Sequence, residues 1–170
     1  MTFWNNLERR LTAVAIQINH AEKEGVANVA KSAYYRAAII LVCTIVEGLV
    51  YQLVKKHSGA SPHIIDNGKE YKEIQELSST AIGSSKKLWV CEKIKTDVCI
   101  DDNHVGFGKL NVYLKNKGVI TPDEYRALDR IRVERNKIHL QGVGSSDTGY
   151  TKRKFNSITS VLPFLLRKLR

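Results

Sequence analysis

Three polar residues near the C-terminus, Arg132, Asn136 and His139, share one edge of a strongly helical segment. At about 100° of rotation per residue they fall within roughly 60° of one another, along the shoulder of an apolar stripe made by Leu128, Ile131 and Ile138. Histidine titrates near neutral pH, so His139 can accept or return a proton. Arginine presents a planar fork of donors that matches a phosphate, and Asn136 can hold the imidazole or a phosphate oxygen. Arg135 lies deeper, inside the apolar stripe, where a guanidinium needs an acidic partner, a bound anion or a subunit interface. In the last turn of its helix His139 also feels the negative end of the dipole, which favours imidazolium and suits it equally to act as an acid. The chemistry implied is proton transfer beside a fixed cation, at a phosphate.

The stretch that carries these residues, IRVERNKIHL at 131–140, resembles the signature of HEPN domains, all-helical proteins whose pattern is an Arg followed after four to six residues by a His. Arg132 to His139 has that spacing, and Arg135-Asn136 is the pair most like the family's Arg-Asn. The likeness extends to a long core helix with an embedded acid, Glu47, a short helix before a Gly turn, the motif helix and a closing amphipathic helix. The resemblance implies a metal-independent endoribonuclease without a cofactor, acting as a homodimer whose two motifs meet in one cleft. It assigns the catalytic roles to Arg132, Arg135, Asn136 and His139, leaving open which arginine meets the phosphate. Such proteins often serve as toxins or in phage defence, held in check by an antitoxin protein. A non-catalytic HEPN-like module binding RNA, a nucleotide or a protein partner is the alternative.

Charge agrees with an anionic partner. The chain of 170 residues has a formal net charge of +10. Residues 126–170 hold eleven Lys or Arg against three acids, so most of the excess lies in the last quarter. A basic surface of this kind suits a polyanion such as RNA, and Lys137, Lys152, Arg153 and Lys154 are the expected contacts. Glu47 is the candidate support, pairing with Arg132 or Arg135. His20, His57, His63 and His104 have neither mutual i, i+4 spacing nor Cys or acid partners, so no metal site is expected. Gly106-Phe107-Gly108-Lys109 and Gly83-Ser84-Ser85-Lys86 lack the full phosphate-loop pattern and read as turns.

These residues need a scaffold, and the composition permits one: 43% hydrophobic and 26% charged residues fit a globular chain able to bury a core. Three cysteines with no CxxC pair point to a reducing cytosol, and the N-terminal residues show no secretory pattern. The long apolar run at 37–54 contains Glu47, whose charge would be costly in lipid, so a buried helix of a soluble bundle is expected there, with no membrane partner. Helical spacing places the first helix on Phe3, Leu7, Leu11, Val14 and Ile18, and a second from about 26 to 56, ending at His57-Ser58-Gly59. A shorter helix is expected within 63–85, residues 88–100 are ambiguous, and another helix spans about 109–117 before Gly118. Thr121-Pro122-Asp123-Glu124 spells a capping box that opens the motif helix, which continues to about Leu140 with Gly142 as its stop. Thr151 caps a last helix that Pro163 should kink. The expectation is an all-α antiparallel bundle of about five helices forming one domain over 1–170.

Overall fold

The computed structural model describes residues 2–59, 64–78, 88–99, 105–140 and 149–170, with side chains left undescribed at 64–78, 88–89, 91–99 and 139–140. The helical part is an all-α bundle: α1 (Phe3–Glu22), α2 (Asn28–His57), α3 (Phe107–Asn116), α4 (Pro122–Leu140), α5 (Lys152–Thr159) and α6 (Leu162–Leu169). The last two are the expected C-terminal helix, interrupted as Pro163 requires, because a proline inside a helix has no N–H to donate and collides with the carbonyl four residues back. Pro163 therefore stands in the first turn of a new helix, and the chain breaks at Ser160 and Val161.

The bundle is built around α2. Its second half is apolar almost all round, which dictates a central position, and Ile39, Val42, Val46, Leu49, Val50, Leu53 and Val54 are fully enclosed. Every other helix packs on it. By length and composition α2 is also the one helix among the described residues able to cross a membrane.

Local signals set the helix ends. Thr2 accepts from Asn5 N–H at the start of α1, and Thr151 from Lys154 N–H at the start of α5. α3 ends in a Schellman motif: Val119 N–H donates to the Leu114 carbonyl at 2.9 Å and Gly118 N–H to the Lys115 carbonyl at 3.0 Å. That motif needs a left-handed residue, and Gly118 supplies it at φ +68°. Gly106, expected in a turn, is the N-cap of α3. At α4 the capping box is complete, with Glu124 N–H donating to Thr121 Oγ1 at 3.2 Å and Thr121 N–H to Glu124 Oε2 at 2.7 Å. Thr121→Ala removes half of this exchange and is expected to lower stability by about 1 kcal/mol, read as a reduced urea midpoint with an unchanged m-value.

One segment departs from the expectation. Residues expected to form a short helix within 63–85 instead form β1 (Ile64–Ser78), and the ambiguous stretch forms β2 (Leu88–Cys99). The strands pair antiparallel from Ile64 opposite Cys99 to Ser78 opposite Leu88, with irregularities between Asp66 and Lys69, Glu73 and Gln75, and Glu76 and Ser78. The Glu and Lys of β1 favour helix locally, but β2 is rich in Val, Ile, Trp and Thr, and cross-strand pairing overrides so weak a preference. The chain groups into two compact units, the helical one at 1–57 and 106–170 and the hairpin unit at 58–105. Within the helical unit, the Tyr113 hydroxyl on α3 donates to the His57 carbonyl at the end of α2 at 3.1 Å.

Candidate active site

With its start fixed by the capping box, α4 turns Leu128, Ile131 and Ile138 into the core, where they are 0%, 2% and 3% exposed. That register puts Arg135 against α2. Its Nη2 lies 3.2 Å from Glu47 Oε2, and the two side chains are 34% and 32% exposed. The guanidinium inside the apolar stripe thus takes the acidic partner its position demands, and the acid in the middle of α2 is accounted for by the same contact. Arg135 Nε is enclosed and has no hydrogen-bond partner among the described residues, so one donor of the fork is uncommitted.

Arg132 is held differently. Its Nε donates to Asp129 Oδ1 at 2.6 Å, one turn back on the same helix. This hydrogen bond and the Asp129 charge push the guanidinium above its ordinary value. Its stem crosses the start of α3, where a Cβ on Gly108 would lie 3.2 Å from Arg132 Cδ. Of the two arginines, Glu47 therefore pairs with Arg135. Asn136 is exposed, on the solvent side of the same helix. His139 occupies the next-to-last position of α4, one turn beyond Arg135; its imidazole lies outside the described side chains, as does Gly142, the expected helix stop.

Sequence reasoning missed a further cation. Arg36 on α2 donates from Nη2 to the Ile138 carbonyl at 3.4 Å, next to His139, and its guanidinium carbon stands 5.8 Å from the centre of the Tyr150 ring. Tyr150 is pinned by its own N–H, which donates to Ser32 Oγ at 3.1 Å. A signal was present: Arg36 and Glu47 are eleven residues apart, three helical turns, so both fall on the face of α2 that meets α4. Cys43 lies between them. Burial pushes its thiol up to about 11, with Arg135 opposing and Glu134 and Glu47 adding to the rise, so it remains protonated and serves as packing.

The four expected RNA contacts separate. Lys154 and Lys137 both reach Glu134, at 2.7 and 3.4 Å. Burial works to raise the Glu134 pKa, but the two lysines outweigh it and hold the carboxyl below its ordinary value. Lys152 bonds Glu22 at 2.8 Å and ties α5 to the end of α1. Arg153 is exposed. Between α4 and α5 runs a groove of about 360 Å³, floored by Ala127, Ile131, Val133 and Ile158 and edged by Arg130, Lys137 and Lys154. It opens on the flank of α4 away from Arg132 and Arg135, neither of which lines it.

Searches of protein-family models, curated proteins and solved structures found no match to the chain.

Proposed function

We propose that this chain is a metal-independent endoribonuclease of the HEPN type. The observation that carries the reading is the Arg135–Glu47 pair: it fixes a partly exposed guanidinium one helical turn before a histidine. In the reaction, the ribose 2′-oxygen attacks the neighbouring phosphorus while its proton passes to a base, and the bond to the 5′-oxygen breaks as that oxygen takes up a proton. His139 is the group that moves protons, Arg135 meets the charge that builds on the phosphate, and Asn136 orients one of them. Arg132, already committed to Asp129, shapes the local field. Two protomers join their motifs in one cleft, so that one imidazole accepts a proton while the other donates. Toxin or phage-defence roles, with an antitoxin protein as partner, follow from the family resemblance alone.

A second reading draws on a specific observation: both motif arginines already have carboxylate partners. An arginine so neutralised suits a non-catalytic module that binds RNA without cutting it. The test is incubation of the purified protein with total RNA in excess EDTA. Cleavage that persists in EDTA is the expected result; binding without cleavage would select the second reading.

A further inference from the structure

We propose that the α4–α5 groove and Tyr150 form a track for single-stranded RNA that leads to the last turn of α4. The inference rests on the ribonuclease reading and adds where the strand lies and what it must be.

The groove has the size and make-up for a nucleotide. Its volume of about 360 Å³ falls at the small end of ligand sites, which run from about 300 to 1,000 Å³. The floor is apolar, and Val133 within it is 37% exposed, an apolar surface suited to a base face. Arg130 stands at one rim, exposed, with no ion-pair partner among the described residues. Lys137 and Lys154 stand further along. They share one carboxylate, Glu134, so two ammonium groups answer a single negative charge, and the other acid at the rim, Asp129, is taken by Arg132. The net field at the rim is positive and complements a phosphodiester backbone.

The track continues past the groove. The Lys154 ammonium lies 4.9 Å from the centre of the Tyr150 ring, and Arg36 sits 5.8 Å from the same ring. Arg36 in turn reaches the Ile138 carbonyl. Arg130, Lys137 and Lys154 edge the groove, Lys154 and Arg36 both stand at the Tyr150 ring, and Arg36 reaches the Ile138 carbonyl, so cations with one aromatic among them lead from the groove to the last turn of α4. Interleaved cations and an aromatic ring are the design by which proteins hold unpaired strands: the charges follow the backbone and the ring stacks a base. A base arriving on Tyr150 displaces the Lys154 ammonium, which then meets the adjacent phosphate. Duplex RNA keeps its bases stacked inside and cannot use the ring or the groove floor.

The test uses a fluorescent oligonucleotide with 2′-O-methyl riboses, which cannot be cut through the 2′-oxygen, and reads anisotropy against protein concentration. Wild type is expected to bind the single strand about tenfold or more tightly than the matching duplex. Arg130→Glu and Val133→Asp, both at exposed positions, should each weaken single-strand binding about tenfold, and Arg130→Glu should flatten the salt dependence. Tyr150→Phe should bind as wild type and Tyr150→Ala should not. His139→Ala should bind normally. Wild-type affinity in both Arg130→Glu and Val133→Asp overturns the track, and if total RNA is still cleaved the ribonuclease reading stands without it. Equal affinity for duplex and single strand overturns the track as well. Light scattering on the same variants supplies the remaining outcome: a dimer that Val133→Asp dissociates, with RNA binding unchanged, assigns the groove to a second copy of the chain and overturns the proposal.

Discussion

His139→Ala is expected to abolish RNA cleavage while leaving the protein folded and able to bind RNA. General acid–base catalysis by a placed side chain contributes about 10²- to 10⁴-fold, so loss of the imidazole should reduce the initial rate by at least about 10²-fold. The substitution is expected to spare the fold, since Leu128, Ile131 and Ile138 are the buried apolar residues of α4 among the described side chains. Thermal melting should therefore coincide with wild type. The measurement is the rate on a quenched fluorescent oligoribonucleotide in EDTA, with binding followed separately on the 2′-O-methyl strand. Retention of the rate in His139→Ala would remove the enzyme and leave a binding module.

The second large effect is expected at Arg135. A donor that stabilises charge in a transition state contributes about 10²- to 10³-fold, and Arg135→Ala should lose that much, with Arg132→Ala losing far less because Asp129 already occupies its Nε. Arg135→Lys should recover little, since an ammonium keeps the charge but not the fork. Stability should change much less than activity. Both members of the Arg135–Glu47 pair are about one-third exposed, so water screens the charge left behind, and a cost of no more than about 1 kcal/mol is expected. Glu47→Gln, tested beside it, distinguishes positioning from packing: if Glu47 aims the guanidinium, the variant loses turnover and the double variant loses no more than Arg135→Ala alone. A Glu47→Gln protein equal to wild type in both rate and melting would show the pair to be idle. A larger loss in Arg132→Ala than in Arg135→Ala would exchange the roles of the two arginines.

Much of the helical unit was written locally. Gly118 stops α3 because the Schellman motif needs a left-handed residue, and Thr121 with Glu124 starts α4 because each satisfies the other's backbone N–H. The hairpin was not legible in the same way. Its first strand has helix-favouring Glu and Lys, and what makes it a strand is its partner at 88–99, brought to it by pairing that no short window contains.

The sequence by itself determined the central burial of α2, the ends of the helices, the kink before Pro163 and the burial of Leu128, Ile131 and Ile138 on α4, because periodicity, caps and breakers act within a few residues. Tertiary structure alone decided that Glu47 meets Arg135 and not Arg132, that Arg36 and Tyr150 gather at the last turn of α4, and that Lys152 ties to Glu22 while Lys137 and Lys154 edge a groove. Those choices depend on how far one helix slides and rotates against another. A shift of one turn, about 5.4 Å, exceeds the reach of a hydrogen bond, so the packing offset selects the partner from several that composition allows.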